Sequence, residues 1–440
     1  MSQLLSEKFK YLIDYKSGYT WSKDQENTKK EDGSIRVLTV TNVQKTLDLR
    51  SELYLNKVSE IDKIEKAVSK DWTIAVSSNG NRSRIGNAIF VENDCEYLFA
   101  SFLTAFKPKV DFLDPKYFYY WFSSDYVQQS ISSVAEGSTG LSNLDIRYLR
   151  NMDIKYHNSS DEQKAIATIL SKVDEAIETI KQTINSAQKL KTSLMQNLLT
   201  GKIKPDGTKR KDDEFYYDEK LGKVPKGWDV KNISNPTICK INPNYSIPKT
   251  TNEFPFLPMD AINDKFNGIG KIERISGSLS GYTKFKKHDI LFAKITPSTE
   301  NGKVALVDIE EEFEVGFAST EFLVFQPNQD FVEPKFLYYK LIKNDIHFLA
   351  VSLMEGTSGR QRVPWKIFRN RVFSAFPTDK NEQKAIANKI SEIDDIITIK
   401  QNKIGKLENL KKSLMQNLLT GKMRLSNELI KILGELSEKA

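Results

Sequence analysis

The chain has 440 residues, 39% hydrophobic and 28% charged, with 65 Lys+Arg against 58 Asp+Glu for a formal net charge of +7. That is too long for one ordinary core, so two or three domains are expected, and no run approaches the about 18 uninterrupted apolar residues of a membrane span. Cys95 and Cys239 are too few for a disulfide framework or a thiolate metal site, and a start carrying Glu7, Lys8 and Lys10 is unlike a signal peptide, so a cytoplasmic protein is expected.

Residues 1–158 read as a first globular region. Short β-branched and aromatic runs bounded by Gly, Asn and Ser, such as VLTVTNV (37–43) and DWTIAVSSNGNRSRIGNAIFV (71–91), predict strands. PKYFYYWFSSDYVQQSI (115–131) predicts a helix. Residues 159–202 predict a long helix. Ile166, Val173, Ile180, Ala187 and Leu194 recur every seven residues; Ile177, Ile184 and Leu198 keep an offset of four, with Leu170 entering that series and Lys191 interrupting it. NSSDE supplies capping residues at its start and the Gly of TGK a stop. A connector spans 203–222. A second globular region, 223–379, carries FLPMDAI (256–262), HDILFAKITPSTENGKVALV (288–307) and EPKFLYYKL (333–341), which parallel runs of the first. A second long helix spans 380–424, with Ile386, Ile393, Leu407 and Leu414 alternating with Ile390, Ile397, Ile404 and Leu418, and 425–440 form a tail helix. Each long helix should be roughly 39 residues, or about 58 Å.

The two halves are a duplication. SLMQNLLTGK stands at 193–202 and again at 413–422, and residues 162–202 share 22 of 41 positions with the segment 220 residues later, without a gap. AEGSTG (135–140) and MEGTSG (354–359) match at an offset of 219. A helix with such a stripe cannot bury it alone, and its expected partner is the other copy. The fold expected is therefore α+β: two globular α/β domains and two long helices pairing as an antiparallel coiled coil, in a pseudo-two-fold repeat. Near-identical helices joined to divergent domains describe a symmetric scaffold carrying two different binding surfaces, and a nucleic-acid duplex has matching local symmetry. Charge adds little to this. Residues 1–160 hold 21 Lys+Arg against 21 Asp+Glu and residues 223–380 hold 22 against 18, so cations for DNA must be clustered in space.

Motifs for chemistry are missing. NPNY (242–245) has Asn where a base-flipping methyltransferase loop has a second Pro, and no Gly-rich cofactor loop accompanies it. GIGK (268–271) lacks the spacing of a phosphate loop. DEQK (161–164) lies at a helix start, where acidic residues suit the dipole. His157, His288 and His347 are isolated, without metal-ligand spacing. No catalytic residue, metal or cofactor is expected.

In order and duplication, the two globular regions, the helices opening on EQKAIA and closing on SLMQNLLTGK, the connector GKIKPDGTKRKDDEFYYDEKLGKVPKGWDV, and HDILFAKI and EGTSG together resemble the specificity subunit of a type I restriction–modification system. The resemblance covers essentially the whole chain. It implies a non-catalytic subunit in which each globular region is a target recognition domain reading one half of a bipartite, asymmetric double-stranded DNA site. It also implies that the coiled coil spaces the domains and docks two methyltransferase subunits, which recruit restriction (helicase-nuclease) subunits. VPKGW precedes the second domain and nothing like it precedes the first. A stand-alone coiled-coil DNA-binding regulator is the alternative.

Base readout needs forked or amide groups on exposed loops, and phosphate contacts need Lys, Arg, Ser or Thr. Two loops per domain carry them. In the first domain the candidates are Asn79, Asn81, Arg82 and Arg84, then Ser138, Thr139, Asn143 and Arg147. In the second they are Ser298, Thr299, Asn301 and Lys303, then Thr357, Ser358, Arg360, Gln361, Arg362 and Lys366, with Lys284, Lys286 and Lys287 as a phosphate rim.

Overall fold

The computed structural model describes residues 4–44, 46–135, 140–248, 253–277, 279–357 and 359–437. The chain divides into two compact units: Met1–Gln182 with Asn402–Ala440, and Thr183–Gln401.

In the first unit a four-stranded antiparallel sheet runs in the order Ile13–Ser17, Leu103–Pro108, Thr73–Val76, Ala88–Phe90. Thr73–Val76 is buried along its whole length, which explains the apolar run Ile74–Val76 that follows the buried Thr73. The helix Pro115–Phe122 packs in the same core. Pro115 presets its first turn, the Asp114 carboxylate accepts from the Tyr117 N–H at 2.8 Å, and Tyr117 to Phe122 are all buried. A five-stranded mixed sheet includes the parallel pairing of Arg36–Leu38 with Tyr97–Phe99.

The second unit repeats the order: Cys239–Ile241, Phe322–Pro327, Ile290–Ala293, Val304–Leu306, with the helix Pro334–Leu341 in its core. Its other sheet runs Glu273–Ser276, Glu253–Leu257, Gly316–Ala318, Thr283–Phe285. Leu5–Lys8 pairs with Asp153–Tyr156 in the first unit, as Trp228–Asn232 pairs with Phe373–Pro377 in the second. The first region therefore opens on a strand equivalent to the one that VPKGWDV contributes, without sharing its letters.

The long helices are Ser160–Leu198 and Lys380–Leu418, 39 residues each. Gln163 and Gln383 fix their starts identically. The Gln163 amide donates to the Phe112 and His157 carbonyls and accepts from the Asp114 N–H; Gln383 does the same with Phe331, Pro377 and Glu333. Ile166, Leu170, Ile177, Ile180, Ile184, Ile386, Ile390 and Ile397 are buried, as the heptads require. Within the first unit, residues 160–182 and the end of the second long helix run antiparallel, since Glu162 meets Arg424 while Asp174 meets Lys411 at 2.7 Å. In the second unit Lys191 pairs with Asp394 at 2.6 Å, the same pair 220 residues on.

The shared TGK ends each helix by backbone geometry. Gly201 and Gly421 adopt φ of +67° and +68°, and a Cβ on Gly201 would lie 2.3 Å from Pro225 Cγ. The carbonyl ends are capped by different donors: Lys340 Nζ donates to the Leu199 carbonyl at 2.6 Å, and His157 Nε2 donates to the Leu418 carbonyl at 2.7 Å. Among the described residues, no helix is long and apolar enough to cross a membrane.

Candidate nucleic-acid interface

Both units join their two candidate loops in the same way. In the first, Ser78–Asn79 pairs antiparallel with Ser142–Asn143, and the Leu144 N–H donates to the Ser77 carbonyl at 2.8 Å. In the second, the Thr296 N–H donates to the Gln361 carbonyl at 3.0 Å, and the Val363 N–H to the Lys294 carbonyl at 2.7 Å. Each junction continues a fully buried strand, Thr73–Val76 or Ile290–Ala293, so a rigid sheet positions the loops.

Within these loops, several expected contacts are committed to the fold. Arg84 donates to the Val40 carbonyl at 2.5 Å, and Lys303 donates to the Met259 and Ile262 carbonyls at 3.1 and 2.7 Å. The two cations stand 219 residues apart, as do Val40 and Met259, so both repeats use one basic side chain to pin the same neighbouring loop. Arg82 donates to the Ser132 and Ser133 carbonyls at the carboxyl end of the helix Asp125–Val134, where a cation also suits the dipole. Asn81 caps the 3₁₀ turn Arg82–Arg84 by accepting from the Ser83 N–H at 3.0 Å. Ser298 and Thr299 are buried; the Thr299 hydroxyl donates to the Ala293 carbonyl at 2.9 Å and its own carbonyl accepts from His347 at 2.8 Å. Arg362 forks onto Glu321, with Nη2 to Oε1 at 2.7 Å, and holds that carboxyl below its ordinary range. Arg82, Arg84, Thr299, Lys303 and Arg362 thus hold the loops in shape, and Ser298 and Thr299 are buried beneath the surface.

Other candidates face outward. Asn143 and Arg147 are exposed in the first unit, and Asn79 is half-buried, its amide oxygen accepting from the Asn81 N–H at 2.8 Å. Asn301, Thr357, Arg360 and Lys366 are exposed in the second, with Gln361 half-buried. Ser138, Thr139 and Ser358 lie outside the described residues. The lysine rim belongs to the other sheet, where Lys284 donates to the Tyr245 carbonyl at 2.7 Å, Lys286 lies 5.2 Å from the Tyr245 ring centre, and Lys287 pairs with Glu312 at 2.7 Å. Only Lys286 of the three is exposed.

Arg150, Arg369 and Arg371 are absent from the expected set, yet they are exposed. The signal was available: the offset of 219 that aligns EGSTG with EGTSG continues through the following residues and sets RYLRN (147–151) over KIFRN (366–370). Among the described residues no three His, Cys, Asp or Glu side chains gather as metal ligands do.

Residues 8–189 and 225–409 match the profile of a family described as the type I restriction modification DNA specificity domain. The EcoAI specificity subunit of Escherichia coli is 31% identical over 172 residues, 39% of this chain; the match spans only 29% of the E. coli protein. The MjaVIII specificity subunit of Methanocaldococcus jannaschii is 26% identical over 342 residues, 75% of each chain. A crystal structure of a type I restriction–modification S subunit from M. genitalium superposes with a TM-score of 0.56 at 15% identity, covering 94% of this chain and 96% of that one, a likeness of fold.

Proposed function

The chain belongs to the type I restriction–modification DNA specificity family, and from that membership we propose that each of its globular units is a target recognition domain reading one half of a bipartite, asymmetric DNA site. The observation that carries the reading is the duplicated loop junction. The same framework places Ser142 and Asn143 in one unit and Gln361 and the Glu321-bound Arg362 in the other, so one geometry carries two chemistries. Asn143 in the first unit, and Arg360 and Gln361 in the second, have the forked or amide groups that distinguish bases in the major groove. The long helices set the interval between the two readings and dock two methyltransferase subunits, through which restriction subunits join. The chain performs no chemistry itself.

The test uses the full chain, purified methyltransferase subunits and a radiolabelled methyl donor. Methyl transfer is expected only when both proteins are present, and transfer by the chain alone would end the non-catalytic reading. Substituting Arg360→Ala with Gln361→Ala should relax recognition of one half-site by about 1–3 kcal/mol per lost base contact and leave the other unchanged. Equal relaxation of both halves would refute the assignment of this loop. A stand-alone regulator would instead bind DNA without supporting methylation by any partner.

A further inference from the structure

Guanidinium groups cannot shed their charge, so an arginine side chain either finds acceptors or stays in water. Most arginines of this chain find them, donating to a carboxylate or a backbone carbonyl. Five have no such partner among the described residues, and all five are exposed: Arg147, Arg150, Arg360, Arg369 and Arg371. They are not scattered. They lie in, or directly after, the second recognition loop of each unit.

Four cations there share one register. Arg147 and Arg150 stand on the short helix Ile146–Asn151; Lys366 and Arg369 stand on Lys366–Asn370. Each pair is three residues apart and therefore on one helix face, while Leu149 and Phe368, at 0% exposure, anchor the opposite side. Arg150 and Arg369 lie in the last turn, where a cation suits the dipole, but a second cation three residues before each repels it, so helix stability does not call for the pairs. Each helix begins within three residues of the hydrogen bond that joins the loops, Leu144 to Ser77 or Val363 to Lys294.

Comparison of the two repeats separates two kinds of position. Just before the helices, Leu141, Ser142 and Asn143 stand where Arg360, Gln361 and Arg362 stand in the second unit, and the chemistry differs at each. On the helices, Arg147 meets Lys366 and Arg150 meets Arg369, and the charge is the same. Positions that read different bases must differ between the units. Positions that hold phosphates, which every sequence presents alike, need not.

We propose that Arg147 with Arg150, and Lys366 with Arg369, are equivalent phosphate clamps, one per unit, that grip the DNA backbone beside the bases read by the adjoining loops. The proposal rests on the reading of each unit as a DNA-recognition domain and adds which side chains position the duplex without reading it.

The experiment measures binding of the full-length chain to a mixed-sequence DNA duplex by fluorescence anisotropy across a salt series. Each phosphate neutralised contributes about 0.9 to the slope of log affinity against log salt. Arg150→Gln with Arg369→Gln should therefore lower affinity and flatten the slope by about 1.8. Arg150→Lys with Arg369→Lys should keep the slope. Arg50→Gln with Arg274→Gln removes the same charge from exposed arginines that pair with Asp48 and Glu311, and should also keep it. An unchanged slope in the glutamine variant, or an equal loss in the Arg50 and Arg274 control, would overturn the clamps while leaving DNA recognition standing. A wild-type chain without any salt-dependent binding would overturn the recognition reading and the clamps with it.

Discussion

At the scale of single residues, Asp289 is the clearest example of a side chain whose environment changes its chemistry. It is 2% exposed; the Tyr245 hydroxyl donates to Oδ2 at 2.8 Å and the Lys286 N–H donates to the same oxygen at 2.8 Å. Burial outweighs those donors and pushes the carboxyl up to about 7 from its ordinary 3.8. Between those two values the folded chain holds a proton that the unfolded chain releases. The contribution to stability is complete below the ordinary value and is lost as pH rises through about 7. Urea denaturation of wild type and Asp289→Asn across that window should show the variant gaining on wild type by up to ~1.4 kcal/mol per pH unit. A constant difference between the two proteins would mean that another group carries the pH dependence. Single residues were also where the sequence was least legible. Arg84 and Lys303 have the side chains of DNA contacts, and nothing local distinguishes a cation that grips phosphate from one that grips a carbonyl. Their acceptors, at Val40 and Met259, are about forty residues away in sequence and come close only through the fold.

Among the elements, the long helices were the most legible, because a seven-residue period held over about five repeats leaves little choice of conformation, and the second copy repeats it. The pattern marked Lys191 as an interruption. Its role appears only in the pairing: Lys191 and its counterpart Lys411 occupy the seam and reach Asp394 and Asp174, which also accept from the Tyr339 and Tyr120 hydroxyls at 2.8 and 3.0 Å. A polar residue in a heptad seam costs stability and fixes register. Both side chains of the Lys411–Asp174 pair are partly exposed, so a double-mutant cycle with Lys411→Met and Asp174→Asn should give a coupling of about 0.5–1 kcal/mol in thermal or urea denaturation. A coupling indistinguishable from zero would remove the register role. The strand Leu5–Lys8 was illegible for the opposite reason: four residues carry no usable period, and its partner, Asp153–Tyr156, lies at the far end of the domain.

For the molecule as a whole, the proposed spacing role makes helix length a determinant of DNA specificity. Removing 176–182 together with 396–402 takes one heptad from each long helix and keeps the seam in phase, a shortening of about 10 Å, or close to three base pairs. Mapping methylated sites in cells that carry the deleted chain with its methyltransferase should find both half-site sequences unchanged and the gap between them shorter. An unchanged gap at full activity would assign the spacing to something other than helix length. One further consequence follows from how the chain is divided. Residues 183–401 are contiguous in their unit, whereas the other unit closes its core with Met415, Leu418 and Leu419 packed among side chains such as Phe9 and Phe118. A ribosome emits those last three residues long after the first two. The unit begun first is therefore finished last, and throughout synthesis of the intervening residues its nascent core stands open to chaperones.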